Sequence, residues 1–389
     1  MISIFSQLFI LLFLSTFRAP VYEKHVETHI KVLLQEIDKQ QNTVWKISSE
    51  KGLIIYDAEN RSKKKLFDSE ILVQINNGSV FINNKKIVDS DNLIISSNST
   101  ASEVSTFITI DNQSYHGFLY LINYKNSYLL INKLKLEEYV FSVLKTESWP
   151  GWSLEINKVL AIACRSYATA KMMEAKRAKL PYHIKPTNCH QTYTGIHFNE
   201  ILKQATLETS GLIMSYNKSP VLAMFDCCCG GIITAHIKNI QNAKTPYLSR
   251  NYACEYCKKC KIFSWKFSIS HTEIYEILRK ELKSLRGLHD IKLYLDKAGI
   301  VEKVVIKDGR KFHTLTGKKF YSLFKGIKSF AFDIKKEQNL FVISGKGYGH
   351  HIGLCQWGAH QMVTEGWDHK NILKFYYPGI NFVKLACKN

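Results

Sequence analysis

The chain has 389 residues, 46% of them hydrophobic and 22% charged, with Gly 20 and Pro 7. That balance excludes a disordered, collagen-like or low-complexity chain, and the length suits two or three domain-sized units or one domain with a large insertion. Lysine and arginine total 53 against 33 acidic residues, and the net charge of +20 favours an anionic neighbourhood: a membrane surface, a wall polymer or nucleic acid.

Residues 1–19 hold an apolar run, Leu8 to Leu14, too short for a mature membrane span but suited to the core of a secretory signal ending near Ala19-Pro20. No Lys or Arg precedes the run. Export, or anchorage by this one segment, is the expectation; a buried N-terminal helix is the alternative. Residues 21–50 read as a weak amphipathic helix and a connector. From Gly52 to about Lys135, short β-rich runs alternate with turn pairs, as in Ile71–Ile75 before Asn76-Asn77-Gly78, Val80–Ile82 before Asn83-Asn84, and Tyr128–Ile131. Residues 20–133 are therefore expected to form a β-rich N-terminal unit. Leu136 to about Glu147 and Ser153 to about Lys179 read as two helices broken at Pro150-Gly151, with Ser153 as N-cap. On the second, Ile156, Val159, Leu160, Ala163, Tyr167 and Ala170 share one face. Residues 271–286 read as a helix, 291–335 as mixed strands, and 340–389 as a strand, a Gly/His turn and a closing helix. The fold class expected is α+β.

One carboxylate stands out on the first helix. Leu136, Val140, Val143 and Glu147 fall on one stripe, and Glu147 ends it beside Trp149 and Trp152. A carboxyl group against apolar and aromatic surface loses solvation in its charged form, so its pKa should rise. A raised-pKa acid near tryptophans can protonate a glycosidic oxygen. The bland reading is a solvated Glu just past a helix end.

Ten cysteines raise a second question. Cys227-Cys228-Cys229 is awkward to pair internally, and Cys254-x-x-Cys257-x-x-Cys260 has the close spacing that turns several thiolates toward one ion. Ferredoxins would need a further Cys at position 264, which is Ser264, so zinc is preferred to iron–sulfur. The expected site is Cys229, Cys254, Cys257 and Cys260; disulfides and free thiols remain open for an exported chain. In the C-terminal motif Gly345, Gly347, Gly349 and Gly353 permit close backbone approach without phosphate-loop spacing. His350, His351 and Gln356 there are candidate contacts for sugar hydroxyls, with a structural role weighed more heavily for His351.

Taken in order, several segments resemble the stage II sporulation protein D family, which also covers the amidase enhancers. Leu136-Glu137-Glu138-Tyr139, Glu147 and Arg165-Ser166-Tyr167-Ala168 match its first signature. Gln191–Gly195, Cys229-Gly230-Gly231, Pro246-Tyr247-Leu248, Gly347–Ala359 and Ile372–Gly379 follow in family order over roughly 250 residues, from about Leu134 to Pro378. Residues 134–389 then read as a core resembling that family, with a cysteine-rich insert near 219–265. The resemblance implies a peptidoglycan lytic transglycosylase that prefers strands stripped of their stem peptides, with Glu147 as the acid. It also implies substrate-binding roles for Arg165, Tyr167, Gln191, Tyr193, His350 and Gln356. Some members hold a further metal near their His-Cys-Gln segment; this chain departs from that pattern, with Cys189 and His190 in swapped order and the usual upstream Cys absent. Glu147 and the substrate's own C6 hydroxyl can complete the reaction without a second carboxylate.

Two other classes compete. A non-catalytic glycan-binding scaffold that recruits or stimulates a cell-wall amidase would need the cleft but not the acid. A basic zinc protein bound to nucleic acid fits poorly, since only eight of the cations are arginine and no helix-turn-helix pattern is present.

Overall fold

Alternating apolar and polar positions in the first third of the chain fold as two six-stranded sheets. One runs, edge to edge, through Gln113–His116, Phe107–Ile110, Thr43–Ser48, Glu70–Asn76, Ser79–Ile82 and Lys85–Lys86. The other runs through His29–Asp38, Ser127–Lys135, Phe118–Tyr124, Leu93–Ser97, Leu53–Asp57 and Lys64–Phe67. The turn at Asn77-Gly78 takes positive φ at both residues, the backbone that a two-residue hairpin of native twist requires. Trp45, Ile47 and Val73 from the first sheet meet Ile95, Leu119 and Leu121 from the second in one apolar layer. The structure is a computed structural model and describes residues 21–22, 29–58, 64–87, 92–98, 107–187, 190–238, 240 and 244–385. The signal-like segment 1–19, Cys189 and Cys387 lie outside them.

The helix expected within residues 21–50 is instead the strands His29–Asp38 and Thr43–Ser48. Ile30, Leu33, Leu34 and Ile37 mimic helical spacing because a β-bulge interrupts the strand: pairing steps from Leu130↔Gln35 to Ile131↔Leu33 and leaves Leu34 over. The extra residue keeps Ile30, Val32 and Ile37 on one side of the sheet despite their odd separation. The ladder to Ser127–Lys135 decides the outcome, since a helix this short is marginal on its own propensity whereas the strand gains cross-strand pairing along its whole length.

That strand serves two cores. Ile37 packs in the sandwich layer, whereas Ile30 and Val32 join a helical core. The helices there are α1 (Leu136–Glu147), α2 (Leu154–Arg177) and α3 (Glu200–Glu208). Helix α2 is buried on every side from Val159 to Thr169, so the single apolar face expected of it is only part of what it packs. A four-stranded sheet in the order 21–22, Asn381–Leu385, Leu212–Tyr216 and Ser219–Pro220 flanks it.

Residues 264–346 build a further cluster around Ile274, Val304, Phe320 and Ile343. It contains two three-stranded sheets with α4 (His271–Glu281) and α5 (Gly317–Leu323). Helix α4 is shorter than the expected 271–286, and α5 falls inside the stretch read as strands. Beyond it, the one closing helix expected is two, α6 (Gln356–Thr364) and α7 (His369–Tyr376), followed by strand Asn381–Leu385. The turn at Gly366 and the Asp368 N-cap, whose carboxylate accepts from the N–H groups of Lys370 and Asn371, separate them. The fold is α+β.

Candidate active site and cysteine cluster

Glu147 is the last residue of α1. Ser148 turns extended there (φ −95°, ψ 154°), and Trp149-Pro150 prevents the helix from continuing because proline disfavours helical backbone before it. The carboxyl group therefore projects from a helix end into a cleft of about 520 Å³. Burial lifts its pKa from the ordinary carboxylate range to about 7, against one opposing contact, the Thr192 N–H donated to Oε1 at 3.1 Å. From the other side Gln356 Nε2 donates to the Glu147 carbonyl at 2.9 Å, fixing the helix end against the C-terminal motif. Trp149, Trp152 and Trp357 meet edge to face or tilted with centroids 5.4 to 6.3 Å apart, and His360 stacks on Trp152. Trp149 stays 39% exposed at the cleft rim.

The residues expected to bind substrate divide. Tyr167, His350 and Gln356 line the cleft with Glu147. Arg165, Gln191 and Tyr193 do not. Arg165 is wholly buried, its guanidinium paired with Glu137 at 2.6 Å and donating to the Leu212 carbonyl at 3.2 Å. Gln191 is 1% exposed, accepting from Tyr139 Oη and donating to the Cys164 carbonyl. Tyr193 donates to Asn132 Oδ1 at 2.6 Å and stacks on Tyr139. Gln191 and Tyr193 support the segment whose Thr192 faces Glu147, whereas Arg165 ties α1 to the end of α3 and the strand that follows it.

Sequence reasoning missed Asp226 and Cys227 in the same wall. Asp226 is buried, its carboxyl raised well above the ordinary range by desolvation, and its Oδ2 accepts the His351 N–H at 2.6 Å. Burial pushes the Cys227 thiol up to about 12. An acid directly after the apolar run Val221–Phe225 was the available signal, though not for which wall it faces. His350 is a weaker base than usual because burial disfavours its cation, while its Nδ1 accepts from the Ile352 N–H. His351 takes φ +67° and is buried, with Nδ1 against the Cys229 carbonyl at 2.9 Å, a structural position. Around the Cys189-His190 segment, His183 and His190 use Nδ1 to accept from the N–H groups of Lys31 and Lys185.

Four buried thiols, Cys229, Cys254, Cys257 and Cys355, lie with all Sγ atoms within 4.8 Å of one another. Three belong to the expected set. Cys355 takes the fourth place, and Cys260 stands outside it, its Sγ 3.6 Å from Cys228. The reason is local: Cys355 N-caps α6, where its sulfur accepts from Gly358 N–H at 3.3 Å and Cys229 N–H at 3.2 Å, so it points inward. None of the eight described cysteines is in a disulfide.

The quartet fits a metal ion. Cys229 and Cys257 Sγ are 3.7 Å apart, close to the tetrahedral edge of ~3.8 Å that follows from zinc–sulfur bonds of about 2.3 Å. Hydrogen bonds from surrounding thiols, that of Cys228 first, favour the thiolate at Cys257; such bonds push Cys229 up, and burial pushes Cys355 up. The Arg250 guanidinium lies beside Cys229 and Cys254 with Nε and Nη1 unpartnered, a buried cation suited to an anionic thiolate set.

Glu147 thus ends a helix beside the Gly/His turn, on a core built around α2. The sequence pattern of the stage II sporulation protein family matches residues 124–216. An uncharacterised protein of Brachyspira hyodysenteriae is 30% identical over 324 residues, covering 82% of this chain and 85% of that protein. Stage II sporulation protein D of Bacillus subtilis is 24% identical over 270 residues, 66% of this chain and 76% of that one. The amidase enhancer of Bacillus subtilis is 25% identical over 286 residues, 61% of this chain but only 39% of the longer relative. The chain belongs to the stage II sporulation protein D and amidase enhancer family.

Proposed function

We propose that this chain is a peptidoglycan lytic transglycosylase acting on glycan strands, peptide-stripped ones in particular. The relatives' names support a role in the cell wall, and the observation that carries the finer reading is Glu147: a carboxyl group with a pKa of about 7 at the wall of an open cleft. Such a group is protonated often enough near neutrality to give its proton to the departing glycosidic oxygen. The substrate's C6 hydroxyl then closes on the anomeric carbon, and the Glu147 carboxylate takes the hydroxyl proton, leaving a 1,6-anhydro end. Thr192 N–H orients Oε1, Gln356 fixes the helix end, and Trp149 offers a ring on which a sugar face can lie.

The quartet is proposed to hold a structural zinc, which when bound ties the Gly230-Gly231 turn, the 254–257 loop and the start of α6 together. Export is proposed from the apolar run in residues 1–19; among the described residues no helix is long and apolar enough to cross a membrane.

The test is incubation with denuded strands and mass spectrometry for anhydro ends. Glu147→Gln keeps size and polarity but has no proton to transfer, so fragment release should fall roughly 10²-fold or more. Wild-type cleavage rates in that variant would place the acid elsewhere. If wild type and variant both bind strands and neither cleaves, the second reading holds: a glycan-binding scaffold that stimulates or recruits an amidase, the role named in one relative.

A further inference from the structure

The sheet of Asp290–Leu295, Val301–Asp308 and Lys311–Thr316 has one covered face and one open face. Ile291, Val304, Ile306 and Leu315 belong to the apolar cluster beneath it. The alternate positions point the other way, and strand pairing sets them in rows. Asp290, Lys307 and Phe312 cross one end, Tyr294, Lys303 and Thr316 cross the other, and Lys292 lies between. Phe312 is 66% exposed and Tyr294 41%, with the three lysines exposed beside them. The ammonium groups of Lys303 and Lys292 lie 4.2 and 5.3 Å from the centre of the Tyr294 ring. No ion pair among the described residues takes Lys292, Lys303 or Lys307; the carboxylates of Glu302, Asp308 and Glu281 pair instead with Lys238, His313 and Lys319.

We propose that this open face is a second polysaccharide-binding surface, gripping anionic glycan strands of the cell wall outside the cleft. The choice of occupant rests on the wall reading given above. None of these residues lines the cleft. Three cations against one acid, Asp290, complement the carboxylate that each peptide-stripped muramic acid residue carries. Exposed rings set among the lysines give an apolar surface on which a sugar face can lie while an ammonium group reaches its carboxylate. The three strands hold no arginine, the cation on which nucleic-acid readout leans. The unit is also tied to the cleft wall, since the Gly349 N–H donates to the Lys328 carbonyl at 3.0 Å. A strand held on the sheet therefore travels with the Gly/His turn, which raises the local concentration of glycan at the cleft.

The full chain carrying Glu147→Gln, which spares the substrate, is titrated onto long peptide-stripped strands immobilised at one end. Against this parent, K303E/K307E should lose affinity roughly tenfold and Y294A/F312A by a similar factor, both with the parent's melting temperature. Added salt should weaken the parent more than K303E/K307E. With Glu147 restored, both double variants should cleave fragments too short to reach the sheet at the wild-type rate. Parent-like affinity in both double variants overturns the proposal. So does a loss seen only on vesicles of anionic phospholipid, which would make the face a membrane contact. If no chain cleaves but the double variants still lose strand affinity, the transglycosylase reading fails and this surface stands.

Discussion

Glu147 combines two demands that usually exclude each other, burial and ionisation. With a folded pKa of about 7 against an ordinary value of 4.5, its charged form is disfavoured by folding. The stability it contributes is complete below about pH 4.5 and is lost as pH rises through 7. Glu147→Gln should therefore melt at the wild-type temperature at pH 4.5 and above it at pH 8, which differential scanning calorimetry can read. Strand cleavage should decline over the same upper range, because only the protonated carboxyl donates; a rate that keeps rising past pH 8 would contradict this. The position of Glu147 was legible from its apolar stripe and the tryptophans after it. That of Asp226 was not, because a lone acid in an apolar run gives no sign of which wall it will face until Phe225-Asp226 pairs with Leu354-Cys355.

Helices α1 and α2 are joined by the buried Arg165–Glu137 pair, and Glu137 Oε1 also accepts the Gly211 N–H. Glu137→Gln leaves the guanidinium buried without its counter-charge, so urea unfolding should show a loss of about 2 to 3 kcal/mol, tempered by the partial exposure of Glu137. Substrate affinity of the surviving folded fraction should stay near wild type, since neither residue reaches the cleft. At this scale the ends of α1 and α2 and the hairpins at Asn77-Gly78 and Asn83-Asn84 could be read in advance, where a cap, a proline or a turn pair marks the end. Strand His29–Asp38 could not, because its bulge turns a period of two into a counterfeit helix. The pairing that imposes the bulge comes from residues some hundred positions later. Cys355 escaped for a related reason: its partners lie about a hundred residues upstream, and only the N-terminus of α6 aims it at them.

At the level of the whole molecule, the cysteine cluster and the cleft share walls. Cys227 lines the cleft two residues before Cys229, and Gln356, which holds the Glu147 carbonyl, follows Cys355 directly. If the quartet holds the proposed zinc, stripping it should lower the melting temperature and strand cleavage together, and adding zinc back should restore both. Metal-free protein with wild-type melting would show that packing alone fixes the cluster.

Asn381–Leu385 lies between residues 21–22 and Leu212–Tyr216, an inner strand of its sheet although it comes last in the described chain. A polypeptide made or threaded from its N-terminus presents every wall of the cleft before this strand arrives to join the two edges. Long-range closure of that kind is slow and late. The four-stranded sheet is thus joined by the strand that comes last in the described residues, and a nascent chain that has not yet released Asn381–Leu385 holds Glu147 on α1 while the two edges are still apart.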